Sequence, residues 1–452
     1  MGHRSGPGEI VMMKRRKFLA GCLGAGVAST FSINVLGANE RIVTAVMGIH
    51  DRGMDLAQEL CNRGDVELRY LADPDSSLFE KRAAAVASTT GRRPECVQDF
   101  RRVLDDPEVD GLCIATPDHW HALATIMACQ AGKDVYVEKP TAHSIWESRK
   151  MVEAARKYGR MVQVGTQNRS ADYCAMARER VQAAEFGDIH FVRIVNSKQR
   201  EPIGRKADGP VPEGLDYNLW LGPAPERPFN ENHFHYNWHW FWRYSGGDVV
   251  NDGIHQIDLA RWMVGRDLPK AVSAVGGRHV ADDDSETPDT QIINWEFDGL
   301  NMTFEQTLWT PYQKKVPLEL RDRGDLPDWP FAGTRVEIYG TRQFMYLGRM
   351  GGGFQVFNED GQSIQIQPGQ YTPSNVKHMA NFLDSIRSRA QPNADIEEGH
   401  RSTLLGLYGN IAYRTGRRLH IDAATEGFVD DDEANSYIKR TYREPWVVPD
   451  QV

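Results

Sequence analysis

The sequence predicts an α/β protein in two parts: a parallel sheet covered by helices, then an α+β domain on an open, mainly antiparallel sheet. Three observations predict it. From Arg41 to about Gly165, short apolar runs alternate with amphipathic stretches, the rhythm of βαβ units. The first apolar run ends in a glycine-bearing turn, Gly48-Ile49-His50-Asp51-Arg52-Gly53. After Gly165 the rhythm gives way to successive short strands, and 452 residues exceed one ordinary domain.

The elements follow in order. Ile42–Met47 is an apolar, β-branched run and reads as a strand. Met54–Arg63 reads as a helix with Leu56, Ala57 and Leu60 on one face. Val66–Ala72 is the second strand, ending at Asp73, and the alanine-rich Ser76–Ser88 is helical. A short helix from Phe100 to Leu104 stops near Asp106-Pro107. Gly111–Ala115 and Asp134–Val137 are strands flanking a helix, His121–Ala131; Trp146–Tyr158 and Met161–Val164 complete the part as helix and strand. A helix from about Asp172 to Ala184 and a strand, Ile189–Ser197, open the second part. Residues 200–232 are rich in Pro, Gly and charge and read as a long ordered excursion, a kind of loop that is often functional. Strands are expected at Ala271–Gly277, Thr290–Glu296, Asn301–Thr307, Arg335–Tyr339, Gln343–Tyr346, Gly353–Phe357 and, after an Asp360-Gly361 turn, Ser363–Gln367. Val376–Ser388 and His400–Thr415 are expected helices.

A strand, a glycine turn and a helix make the dinucleotide-binding pattern G-x-G-x-x-G, here with His50 in place of the middle glycine. The middle glycine lets the backbone approach a pyrophosphate, so a side chain there crowds it, although an imidazole can bond a phosphate oxygen instead. Residues 39–165 are therefore expected to form a Rossmann domain, with Gly48, Ile49, His50, Arg52 and Gly53 at the phosphates. Asp73 ends the second strand where a carboxylate bonds a ribose 2′-hydroxyl and repels a 2′-phosphate, which favours NAD over NADP. Asp73-Pro74 also suits a simple turn.

Glu138-Lys139-Pro140 ends another strand, where open α/β sheets bind ligands. An ammonium there fits a catalytic lysine and a surface lysine at a strand end equally well. The full run, with Thr116-Pro117-Asp118-His119-Trp120-His121, Ala131-Gly132-Lys133 and Glu138-Lys139-Pro140 in order, resembles the glucose–fructose oxidoreductase / inositol dehydrogenase / MocA (Gfo/Idh/MocA) family of NAD(P)-dependent sugar and cyclitol oxidoreductases. The resemblance runs from about Arg41 to about Asp422. It implies that Thr116, Pro117 and His121 lie on the nicotinamide side, Glu138 and Lys139 beside the ring, and Gln167 under the cofactor. It also implies that residues 166–452 form an α+β substrate domain whose sheet makes a homo-oligomer interface. His255, in Asn251-Asp252-Gly253-Ile254-His255, matches the family's catalytic histidine; the family's Asp position is Asn251 here, with Asp252 one place later. Asn can hold a hydroxyl but supplies no charge to raise an imidazole pKa, so either Asp252 compensates or the chemistry is altered.

The aromatic run Asn230–Tyr244 suits the C–H faces and hydroxyls of a sugar and equally an aromatic wedge in a core. His233, His235 and His239 lack a carboxylate at metal-ligand spacing, so no metal is assigned. The Trp220-Leu221-Gly222-Pro223 block resembles one in exported family members and is expected to shape the site's rim.

A net charge of −9 argues against a nucleic-acid partner. The six cysteines (Cys22, Cys61, Cys96, Cys113, Cys129, Cys174) form no disulfide or zinc pattern. Lys14-Arg15-Arg16-Lys17-Phe18-Leu19, followed by a small-residue apolar segment to Ala38, reads as a twin-arginine export signal cleaved after Leu36-Gly37-Ala38, with residues 1–12 upstream of the true start. No later run is long enough to span a membrane. The expectation is a periplasmic or otherwise exported enzyme with tightly held NAD, acting on a sugar, cyclitol or glycoside hydroxyl. Lys139 would orient substrate and His255 would act as acid/base, with Asn251 and Asp252 as further candidates. An NAD-assisted glycosidase without net redox change, and a non-catalytic sugar-binding protein, are the alternatives.

Overall fold

The computed structural model describes residues 41–316, 320 and 323–452; the twin-arginine segment lies outside the described residues. The apolar runs of the first part become β1 (Ile42–Met47), β2 (Val66–Ala72), β3 (Glu95–Val97), β4 (Gly111–Ile114), β5 (Asp134–Val137) and β6 (Val162–Val164). They pair in parallel in the order β3-β2-β1-β4-β5-β6. The chain reverses its direction of winding between β1 and β4, the point at which such sheets bind ligands beyond their strand ends. β4 and β5 are buried along their whole length, which is why they read as continuous apolar runs rather than alternating ones.

Helix Asp118–Gln130 starts three residues before the expected His121, with Pro117 as its cap residue. That shift puts Asp118 in the first helical turn, at the strand ends. Helix Ile145–Lys157 is fixed at its start by a capping box between Ser144 and Glu147.

The second part is one ten-stranded sheet. Its strands are β7 (Ile189–Ser197), β8 (Ala271–Gly277), β9 (Thr290–Phe297), β10 (Leu300–Thr307), β11 (Thr334–Gly340), β12 (Phe344–Gly348), β13 (Phe354–Phe357), β14 (Ser363–Gln367), β15 (Leu419–Asp422) and β16 (Gly427–Phe428). The order is β14-β13-β12-β11-β7-β10-β9-β8-β15-β16, with β7 and β10 parallel and the other registered pairs antiparallel. Burial alternates along β9 and β10, so one face packs on helices and the other stays open. The packed face meets helices Gly253–Val264 and Ile396–Thr415, with Trp295, Phe304 and Tyr408 fully buried between them. Gly409 permits the close approach: a Cβ there would lie 2.3 Å from Ile293.

The two cores are not separate stretches of chain. Met379, Phe382 and Leu383, from helix Thr372–Ser388, pack with Ile42, Leu56 and Leu60 of the first part. Trp446, Val448 and Val452 complete the core under helix Asp118–Gln130. The excursion after β7 is ordered and carries helix Tyr217–Leu221; Trp220 and Phe229 pack with Trp240 and Tyr244 in a core of their own. Cys61, Cys96, Cys113, Cys129 and Cys174 are free thiols. Among the described residues no helix is long and apolar enough to cross a membrane.

Trp295 is the largest fully buried side chain of the second core, and its indole N–H donates to Leu405 O at 3.1 Å. Trp295→Ala is expected to cost about 3–5 kcal/mol of stability in urea unfolding. A loss below about 1 kcal/mol would show that the helix is not anchored through this residue.

Candidate active site

The crevice beyond β1 and β4 is shaped by glycines. Gly48 has φ +82°, and a Cβ on it would lie 2.6 Å from Ala115 O. A Cβ on Gly53 would lie 1.7 Å from Gly48 O, so this glycine lets helix Arg52–Cys61 start against the turn. That helix has no side-chain cap; Met54 N and Asp55 N donate to Asp51 O, which leaves the N–H groups of Arg52 and Gly53 for a ligand. His50 stands in the crevice and lines both of its cavities, its ring stacked on His235 of the aromatic run, centroids 4.3 Å apart. The pair stands where two cavities of the crevice meet, one of about 90 Å³ between Asp73 and Trp120 and one of about 280 Å³ running to His255.

Asp73 lies at the first cavity. Its two oxygens accept Ile49 N at 2.8 Å and Asp75 N at 2.9 Å, each keeping one lone pair for a further donor. Burial pushes its pKa up to about 6 against those two bonds. Pro117 borders this cavity as well. The rim block behaves as a dock for the first helical turn: Trp220 O accepts the Trp120 indole at 3.1 Å and lies 3.0 Å from His119 Nε2.

The larger cavity gathers Arg52, Thr116, His121, Glu138, Lys139, Gln167, Asn251 and His255. Arg52 Nε donates to Glu138 at 2.7 Å. Burial alone would raise the Glu138 pKa, but the charges of Arg52 and Lys139 outweigh it and hold the carboxyl below its usual value. Lys139 Nζ crosses to the second part, donating to Asn251 O at 2.9 Å and Asn251 Oδ1 at 3.2 Å. His121 is held by strand ends rather than aimed into the cavity: its ring nitrogens lie 2.7 Å from Pro140 O and 3.0 Å from Thr116 O. Gln167 donates to the Tyr136 hydroxyl at 3.2 Å.

His255 sits in the first turn of helix Gly253–Val264. Burial, with Arg349 and Lys139 close by, lowers its pKa well below the ordinary imidazole range, so the ring is neutral. Asp252 does not join it. Its carboxylate is taken by Lys315 at 2.5 Å, Lys198 at 2.7 Å, Arg349 at 3.0 Å and Arg200 at 3.1 Å. Asp248 shares Lys198 and Arg200. The four cations overcome the effect of burial and hold both carboxyls ionised. The helix breaks at Asp252, between Asp248–Asn251 and Gly253–Val264, and Asn251 and His255 both reach the cavity across that break.

Three lining residues carried no signal in the sequence. In the sequence Asp118 is only a position within the Thr116–His121 block; buried, it accepts only the Ser245 hydroxyl among side chains, and burial pushes its pKa up to about 7. Met350 and Tyr371 arrive from remote loops. The aromatic run divides as its two readings allow: Phe234, Trp240 and Tyr244 are core, whereas Tyr236, Trp238 and His239 line the cavity. Arg200 holds the Tyr236 hydroxyl at 2.8 Å.

Residues 18–166 match the NAD-binding Rossmann fold of an oxidoreductase family, and residues 203–303 and 342–448 match that family's C-terminal alpha/beta domain. The chain belongs to the Gfo/Idh/MocA oxidoreductase family. It is 23% identical to scyllo-inositol 2-dehydrogenase (NAD(+)) of Bacillus subtilis (strain 168), over 84% of this chain and 96% of that protein. It is 25% identical to 1,5-anhydro-D-fructose reductase of Ensifer adhaerens, over 76% of this chain and 90% of that protein. The fold matches the WlbA dehydrogenase of Bordetella pertussis, crystallised with NADH and UDP-GlcNAcA, at TM-score 0.61 and 19% identity, over 84% of this chain and 99% of that one.

The residues present fit the family's dinucleotide. The glycine turn leaves room for it, the helix start is uncapped, and Thr116 Oγ1 and Gln167 Oε1 are buried in the cavity wall with no protein partner. Asn251 Nδ2 and His255 Nδ1 are likewise without one, at the far end where a substrate would sit.

Asp118 carries a sign that solution can check. Its folded pKa, about 7, lies above the ordinary 3.8, so the folded state holds a proton that the unfolded chain loses as pH rises through 4. Stability from this group therefore falls between about pH 4 and 7. Asp118→Asn is expected to raise Tm at pH 8 relative to the parent, with the gain shrinking toward pH 5. A gain independent of pH would contradict it.

Proposed function

We propose that this chain is an exported oxidoreductase that moves a hydride between NAD and a hydroxyl-bearing carbon of a sugar, cyclitol or glycoside. The observation that carries this reading is the meeting of the Lys139 ammonium, the Asn251 amide and the neutral His255 ring at the nicotinamide end of a dinucleotide crevice. The relatives named above act on an inositol and on an anhydro-sugar, which supports the substrate class.

When bound, NAD supplies the hydride acceptor. His255, neutral and with Nδ1 free of protein partners, takes the hydroxyl proton. Lys139 has two of its donors on Asn251 and a third to offer the oxygen as it becomes an alkoxide. Asn251 makes that donor stronger than a carboxylate would, because a neutral amide orients the ammonium without cancelling its charge. The free Asn251 Nδ2 can donate to a neighbouring hydroxyl, and the Tyr236 and Trp238 rings offer flat faces to the sugar's C–H groups. In reduction the same groups return the proton.

The arginine pair ahead of the apolar segment supports export, with Asn39 as the mature amino terminus. The open sheet face, where Phe191, Tyr339, Phe344, Tyr346 and Phe357 cluster half-exposed, supports self-association. Sequencing the exported protein's terminus and measuring its mass by light scattering test these two points; an intact signal, or a monomer, would contradict them.

Lys139→Ala is expected to lower turnover by about a thousandfold or more while the nucleotide stays bound. The check is a screen of sugars, cyclitols and glycosides followed by NADH absorbance; unchanged turnover would overturn the role of Lys139. Glycoside cleavage with no accumulation of NADH would instead assign the hydrolytic variant of the chemistry.

A further inference from the structure

Behind the loop that follows Lys139 lies a second cavity, of about 320 Å³, which shares no lining residue with the catalytic cleft. We propose that it is a binding site for a small organic anion, a carboxylate or phosphate ester carried on a body of about one sugar ring.

Its lining holds four cations and no carboxylate. Two of the four are compensated from outside, Arg440 by Glu147 and Lys439 by Asp450. Arg243 and Arg414 have no ion-pair partner among the described residues; Arg414 instead lies over the rings of Trp242 and Tyr437, 5.1 and 4.2 Å from their centroids. Arg243 Nη1 donates to Pro225 O at 3.4 Å; the donors that remain on two guanidiniums without a carboxylate select a carboxylate or phosphate over a neutral ligand.

The floor is built to meet polar atoms. Asn410 is 4% exposed; its amide nitrogen donates to Gly246 O at 2.8 Å, and its Oδ1 has no partner. Gly246 makes that approach possible, since a Cβ there would lie 2.6 Å from the same amide nitrogen. Arg440 is ion-paired through one side of its guanidinium, and its Nη1 is buried without a partner. Groups left this way in a wall are costly unless a ligand satisfies them. Asn410 Oδ1 accepts, so it suits a ligand hydroxyl rather than the anionic group, which belongs to the arginines. Ile145, Leu407 and Ile411 give an apolar flank for a ring's C–H face. The cavity backs directly onto the catalytic wall: Ser245 lines it, and its hydroxyl is the one that donates to Asp118.

Calorimetric titration of the full mature protein with D-glucuronate, D-glucose 6-phosphate, D-glucose and inorganic phosphate tests the site. At least one sugar anion is expected to bind about tenfold or more tightly than glucose, and more tightly than phosphate alone. Arg414→Glu, on the exposed rim, is expected to weaken that binding at least tenfold with bound nucleotide and Tm unchanged, and Arg243→Gln to weaken it in the same direction. The tighter of the two sugar anions identifies the oxyanion. No binding of either at millimolar concentration, phosphate binding as tightly, or an affinity that Arg414→Glu leaves unchanged would each overturn the proposal.

Discussion

A carboxylate sits buried at the carboxyl end of β5, and the way Glu138 is neutralised sets the geometry of the whole site. Arg52, from the turn after β1, meets one of its oxygens, and the backbone N–H of Lys139 meets the other at 3.2 Å. Gly165, just past β6, keeps the space open: a Cβ there would lie 2.6 Å from Glu138 Oε2. The ends of β1 and β5 are thereby locked together. A buried charge that loses its partner costs several kcal/mol, so the arrangement is all or nothing. One result is that Arg52 cannot swing into the phosphate region as a free cation. The other is that Lys139 leaves the strand in a fixed direction, across the crevice toward Asn251.

The far side of the crevice is held by a separate charge cluster. Lys198 and Arg200 follow β7, Lys315 and Arg349 come from loops, and all four converge on Asp248 and Asp252 around the break between two helices. Arg349 also takes Asp252 O at 2.9 Å, which pins the chain one turn before His255. Gly253 lets this helix start against the sheet, since a Cβ on it would lie 2.7 Å from the Phe304 ring. The catalytic face is thus a meeting of two rigid walls, each tied by buried ion pairs, with Lys139–Asn251 as the bond between them. The cations around Asp252 also explain why a carboxylate one place from the family's Asp position does not take over its work: it is already spent on holding the helix.

The Rossmann half was readable because its central strands β4 and β5 are buried on both faces and its turn needs glycine at 48 and 53 for reasons of space. Edge elements were not. Glu95-Cys96-Val97 is three residues long and partly polar, and β15 and β16 are too short to show a period. Helix Ile396–Thr415 begins earlier than its pattern suggests, because its first turn, Ile396-Glu-Glu-Gly, carries one apolar residue. In the site, motif residues Lys139, Asn251 and His255 came together as their spacing and resemblance implied. What spacing could not show were contacts between residues far apart in the chain. Asp252 lies close in sequence to His255, yet partners near positions 200, 315 and 349 claim its carboxylate. His50 stands at a glycine position, and its ring, stacked on that of His235, lies between the two cavities of the crevice. Asp118 lay outside the expected helix, His121–Ala131, and enters the site because that helix begins three residues early.

On the reading proposed above, this crevice holds NAD with its nicotinamide against Lys139 and His255. The most direct measurement is to purify the mature protein, denature it, and identify any released nucleotide by mass. NAD or NADH, close to one per chain, is expected despite His50. Protein that releases no nucleotide, and that binds neither NAD nor NADP when they are added, would contradict it.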